Sequence, residues 1–251
     1  MTSQILSAIR TTLALLLALL MPLLAQADLL DNLPNGPVFA TVGGANGTRY
    51  LGGDFSMIKT NTGGGAMLNS TAGAVGAVDH KFPAIDGKVY AVASDGTGGW
   101  YIGGEFTIAG FGGATNLAHI LSTGAVDPRW KSSVDGPVFA IASASPYQPF
   151  VFIGGRFTSI NGSGRGSLAS FNTDGSLTDW EAGGGATLRD PANDGVFSLT
   201  VGSDRYLYIG GKFDKLSNNT RYNLGRYNLA TGLAAWAPTP NGPVYAMQYV
   251  P

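Results

Sequence analysis

The sequence predicts an all-β fold: a β-propeller of four-stranded antiparallel blades, with about four repeats and one extra strand. Three observations predict it. A six-residue phrase recurs at Tyr50–Phe55, Tyr101–Phe106, Phe152–Phe157 and Tyr208–Phe213, each reading aromatic, aliphatic, Gly, Gly, charged, Phe. The closing phenylalanines are 51, 51 and 56 residues apart, and a fixed period of this size marks a repeat architecture. Glycine accounts for 38 of 251 residues at regular intervals, which suits many tight turns between short strands.

The chain opens on a leader. Arg10 and the amino terminus supply positive charge, residues 13 to 25 are almost wholly Leu, Ala, Met and Pro, and Ala25-Gln26-Ala27 gives a small-x-small cleavage pattern. The apolar stretch is short for a membrane span, and Pro22 interrupts it. Residues 1–27 are therefore read as a cleaved signal peptide and 28–251 as the repeat domain, destined for secretion or the periplasm. With no cysteine, stability must come from packing and sheet hydrogen bonds. A formal charge of −1 without a basic cluster excludes the usual nucleic-acid and membrane-surface signals.

Each repeat then offers four pieces. The first is a Gly-headed apolar strand, at Gly36–Ala40, Gly87–Ala91, Gly136–Ala140, Gly195–Ser198 and Gly242–Ala246. Asn or Asp precedes each Gly, a turn dipeptide whose residues tolerate positive φ. Both faces of Val89-Tyr-Ala-Val-Ala93 are apolar, so both are expected to be buried. The second piece is the Gly-Gly phrase, where recurring strand glycines signal a bulge or a close backbone approach. The third is an amphipathic strand at Ala66–Leu68, Leu117–Ile120, Leu168–Phe171 and Leu224–Tyr227, followed by turns at Gly73, Gly124, Gly175 and Gly232. The fourth strand ends in Phe82, Trp130, Trp180 or Trp236. Repeats are placed at about 35–85, 86–134, 135–193 and 194–240, with a partial unit at 241–251.

These residues resemble the delta-60, or DUF5122-type, β-propeller repeat. Leu168-Ala-Ser-Phe-Asn-Thr-Asp-Gly-Ser-Leu177 matches its pattern best, with Leu224-Gly-Arg-Tyr-Asn228 next. The resemblance covers roughly residues 35 to 250 and implies a bacterial extracytoplasmic propeller with no general catalytic motif to carry over. Five first strands against four of every other piece leave three readings open: a fragment, a closed ring of four with a spare strand, or an incomplete ring whose open edge associates with other chains.

Chemical motifs are weak. Gly52-Gly53-Asp54-Phe55 lacks the Glu of the diguanylate cyclase signature, and its equivalents replace Asp54 with Glu105, Arg156 and Lys212. Two acids and two bases at one repeat position suit salt bridges between blades or solvated strand ends better than shared catalysis. Asn172, Asp174 and Glu181 approach a calcium loop, but a hairpin turn at Asp174-Gly175 explains them too. His80 and His119 are the only histidines and sit at non-equivalent positions, so neither a metal nor a cofactor is expected. One irregularity stands out: 14 residues separate Trp180 from Asp194, against four or five elsewhere. Loops on rigid scaffolds carry function, so Arg189 and Asp190 in this insert are the candidate ligand contacts. The expected function is an exported, non-enzymatic binding or structural interaction module for a protein or glycan. A carbohydrate-binding or carbohydrate-active enzyme, with Asp54 and Glu105 as its carboxylates, is the alternative.

Overall fold

The computed structural model describes residues 34–43, 49–58, 60–61, 64–69, 77–78, 83–108, 115–143, 149–180 and 184–250. The signal peptide assigned to 1–27, His80, Phe82 and Glu181 lie outside the described residues. Those described form an all-β chain of small antiparallel sheets without a helix.

Four sheets follow one another, one per repeat. The first pairs Val38–Gly43, Arg49–Gly53, Gly65–Asn69 and Ala77–Val78 in that order. The second pairs Ile85–Ser94, Trp100–Ile108 and Thr115–Ile120; the third pairs Val138–Ser143, Phe150–Gly155 and Leu168–Asn172. The fourth pairs Gly195–Val201, Tyr206–Lys212, Leu224–Asn228 and Gly232–Leu233. The expected fourth strand is thus reduced in the middle repeats to single bridges, Ile120 with Val126 and Phe171 with Leu177. The expected turns form at Gly124, Gly175 and Gly232, each with positive φ, but the chain then leaves the sheet before Trp130, Trp180 and Trp236.

Trp130 and Trp180 act between sheets instead. Trp130, fully buried, lies 4.9 Å from the Tyr101 ring of the second sheet and 5.3 Å from Phe171 of the third. Trp180 repeats this one step on, 4.9 Å from Phe152 and 5.3 Å from Tyr227. Each sheet buries its apolar faces against its neighbours, and the core divides accordingly, around Trp130 and Phe157, around Phe152 and Phe213, and around Trp100 and Phe106.

The Gly-Gly phrase has two separate steric duties. A Cβ on Gly103, Gly154 or Gly210 would lie 2.6, 2.5 or 2.7 Å from Cγ1 of Val138, Val196 or Val244, the valine of the next first strand. Gly52 receives Val89 in the same way. The second glycine of each phrase, Gly53, Gly104, Gly155 or Gly211, faces the backbone of its own first strand, where a side chain would strike a carbonyl oxygen. Packing between sheets and packing within a sheet therefore both demand glycine at adjacent positions.

The Asn-Gly and Asp-Gly turns work differently from the expectation. Among their described glycines only Gly87 has positive φ. Asn35 and Asp135 act through their side chains: Oδ1 of Asn35 accepts the N–H groups of Ser56 and Met57 at 2.9 and 3.1 Å, and Oδ1 of Asp135 accepts those of Thr158 and Ser159 at 2.8 and 2.9 Å. They fix the small hairpins that follow the Gly-Gly phrase, such as Ser159–Ile160 with Ser163–Gly164.

Candidate functional site

The first strands carry a feature the sequence presents as core. In each of the four that are laddered, the register slips by one residue opposite the Gly-Gly step: Val38 faces Gly53 while Ala40 faces Gly52. The same slip occurs around Tyr90, Phe139 and Phe197. A bulge of this kind re-aims the extra side chain away from the regular alternation. Four bulged aromatics result, and they line up. Ring centroids are 5.6 Å apart from Phe39 to Tyr90, 5.4 Å to Phe139 and 5.6 Å to Phe197. Tyr245, the equivalent residue of the fifth unit, stacks 5.3 Å beyond Phe197. The end rings are the open ones, with Phe39 47% and Tyr245 69% exposed.

The variable position of the Gly-Gly phrase borders this row. Asp54 accepts from Lys88 of the next repeat at 2.9 Å, which raises the Lys88 pKa. Tyr90 donates its hydroxyl to Glu105 at 3.4 Å; burial, then the Glu105 charge, push that phenol above its ordinary value. The Arg156 guanidinium lies 5.3 Å from the Phe139 ring centre and donates to the carbonyls of Asp194 and Ala192. Lys212 pairs at 2.7 Å with the buried Asp194, and the Asp194 hydrogen bond raises its pKa. Burial opposes the Asp194 charge, but Lys212 and the Asp190 N–H outweigh it and hold the carboxyl below its ordinary value. Between the first and second sheets the border opens into a cleft of about 600 Å³ containing Asp54, Asp86 and Lys88. An equivalent cleft of about 500 Å³, containing Asp86, Glu105 and Asp135, follows one repeat later.

The candidate residues of the insert are held by the fold. Ala186–Thr187 pairs with Lys215–Leu216 of the fourth repeat. Arg189 then forms a two-pronged ion pair with Asp214, Nε at 2.9 Å and Nη2 at 2.8 Å. Asp190 closes its own turn, accepting from Asn193 Nδ2 at 2.7 Å and the Ala192 N–H at 3.0 Å, and those bonds lower its pKa. Neither side chain touches the aromatic row through these bonds, although Asp190, through the Asp194 carboxylate, stands one bond from Lys212. In the proposed calcium set, Asp174 accepts from the Ser176 N–H and hydroxyl at 2.9 and 2.6 Å, and Asn172 donates to the same hydroxyl at 2.8 Å. Among the described residues no group of three His, Asp or Glu side chains converges as metal donors.

A second cluster gives no hint in the sequence. His119, 5% exposed, has Asp127 3.0 Å from Nδ1 and Asp95 3.1 Å from Nε2. The ring thus lies between two carboxylates, one at each nitrogen. Arg129 clamps Asp127 at 3.0 and 2.7 Å. Burial works against the Asp127 charge, but Arg129 and His119 reverse it and hold the carboxyl far below the usual carboxylate range. Asp95 is lowered as well: burial opposes its charge, and bonds from Thr97, His119 and Gly99 prevail. The equivalent position in the third repeat, Ser170, meets Thr178 at 2.5 Å, so the cluster is an elaborated tie between third-strand and fourth-strand positions.

No protein-family model matches the chain, and no curated protein matches it. Among solved structures, it is similar to the extracellular domain of a B. thetaiotaomicron protein assigned to the one-component systems, with 13% identity and a TM-score of 0.40. The match covers 78% of this chain, which spans 21% of that structure's length. Among the described residues no helix is long and apolar enough to cross a membrane.

Proposed function

We propose that the chain is an exported, non-enzymatic binding module of the β-propeller type, related to the delta-60 repeat proteins, with the aromatic row as its binding face. The observation that carries this reading is the row itself. A bulge recurs at each first strand and turns one aromatic outward per repeat, against a polar border that differs in charge from repeat to repeat. A rigid scaffold with aromatic anchors and a polar rim is the arrangement that specific recognition surfaces share. Four sheets in series, first strands side by side and Gly-Gly steps receiving the next repeat's valine, support the propeller form. The small-x-small leader supports secretion or a periplasmic location.

The carbohydrate reading draws on the same row, because open aromatic rings beside carboxylates suit a sugar chain. Its enzymatic version draws less support, since Asp54 is bonded to Lys88 and Glu105 receives the Tyr90 hydroxyl. The test is a panel of soluble polysaccharides and peptides screened by intrinsic fluorescence against the wild type and Phe139→Ala. A ligand of the row loses at least tenfold in affinity on Phe139→Ala with the circular dichroism unchanged. A ligand bound equally well by Phe139→Ala places the binding face elsewhere.

A further inference from the structure

Two segments far apart in the chain are nearly the same. Residues 35–40 read Asn-Gly-Pro-Val-Phe-Ala and residues 241–246 read Asn-Gly-Pro-Val-Tyr-Ala, differing by one ring hydroxyl. Their surroundings differ. Val244 sits on Gly210, as Val89, Val138 and Val196 sit on the glycines before them. Val38 and Phe39 are 42% and 47% exposed. The 241–250 segment joins no ladder and is held by the Val244 N–H donating to the Gly211 carbonyl at 2.9 Å, by Tyr245 stacked on Phe197 at 5.3 Å and by the Tyr249 hydroxyl, which accepts from Ser203 at 3.3 Å. Beside it a cleft of about 450 Å³ opens among Tyr208, Trp236, Met247 and Tyr249.

We propose that the Gly210 seat is a peptide-binding site whose second occupant is residues 35–40 of another copy of this chain. The inference rests on the repeat-scaffold reading above. Val38 suits the seat of Val244, because the two hexapeptides carry the same Gly-Pro-Val core and the other first-strand valines occupy the same kind of glycine step. The exposed Val38 and Phe39 of one copy thus match the seat that the unladdered 241–246 segment occupies in the next. This is a heterologous, head-to-tail contact, which forms a ring when its rotation closes. Each exchange replaces the unladdered 241–246 with a segment already laddered into a sheet through Val38–Gly53 pairing.

Engineered cysteines test this directly, since the chain has none of its own. In the Val38→Cys, Gly210→Cys double variant, oxidation is expected to give a species of two chains on a non-reducing gel. Val244→Asp, which ejects the chain's own segment, is expected to strengthen dimerisation at least tenfold by sedimentation velocity. Free Asn-Gly-Pro-Val-Phe-Ala peptide is expected to reverse that gain. Linkage confined within one chain overturns the second-copy proposal while leaving the repeat scaffold intact, because it shows the seat filled by the same molecule. Val244→Asp monomeric at all concentrations, with no peptide bound and no linkage, overturns both the seat and the repeat reading on which it rests.

Discussion

Trp130 and Trp236 hold equivalent places in the repeat and meet opposite fates. Trp130 is fully buried between the second and third sheets, whereas Trp236 is 38% exposed, with Tyr208 at 5.9 Å and the Arg226 guanidinium at 5.3 Å as its ring partners. The local sequence does not separate them. What differs is the neighbour: Trp130 packs on Phe171 of the laddered third sheet, and Trp236 lies beside Met247 and Tyr249 of the unladdered 241–250 segment. Burial in this molecule is therefore conferred by the following repeat, as expected of a quasi-one-dimensional array in which each unit completes its neighbour's core.

That comparison makes graded predictions. The largest effect is expected from Trp130→Ala, which should cost about 3–5 kcal/mol in urea denaturation as a large core aromatic is lost. Trp236→Ala should cost less than about 1 kcal/mol, in the range of surface substitutions. Equal losses would break the comparison. Next is the glycine step. Gly154→Ala places a Cβ 2.5 Å from Val196 in a laddered strand, an overpacking expected to cost about 1–3 kcal/mol. Gly210→Ala should cost less, because Val244 belongs to a segment free to shift, and Gly43→Ala, with nothing within 4 Å, should be close to neutral.

A pH titration sharpens the view of the second sheet. Asp95 and Asp127 have lowered carboxyl pKa values in the folded state, so the unfolded chain binds more protons as the pH falls. Their stabilisation is complete above the unfolded value of about 3.9 and is lost as the pH drops through the lowered folded values. Acid unfolding of wild type should therefore steepen below about pH 4, and Asp127→Asn should flatten that limb. The smallest effect belongs to the solvent-facing pair of Lys88 and Asp54. Lys88→Ala should leave the melting temperature unchanged within error, because exposed pairs are screened and add little.

Much of this architecture was legible in the residues. The strands at Trp100–Ile108, Phe150–Gly155 and Tyr206–Lys212 coincide with the Gly-Gly phrase, and turns with positive φ stand at Gly124, Gly175 and Gly232, where turns are expected. The aromatic row was not legible as a face. Phe39, Tyr90, Phe139 and Phe197 sit in apolar strands whose alternation assigns them to a core, and only the bulge, a property of pairing across strands, turns them out. The glycine pair was the available signal, since two adjacent strand glycines with different neighbours imply a slip in register. The His119 cluster was hidden for another reason. Asp95, His119 and Asp127 come from three different turns and strands of one repeat, and no spacing rule joins them. For Arg189 and Asp190, the length of the insert was readable, but the Arg189 partner Asp214 depends on how the insert lies against the fourth repeat, and Asp190 closes a local turn with Asn193.

The central claim is that each repeat owes its protection to the one after it. Native-state hydrogen exchange resolved by repeat tests this most directly. Amides of Trp100–Ile108 and Phe150–Gly155, flanked by complete sheets on both sides, should exchange slowest. Those of Tyr206–Lys212 should be faster, and those of residues 242–250 fastest. Uniform protection across all four sheets, with residues 242–250 as slow as the interior strands, would contradict the account.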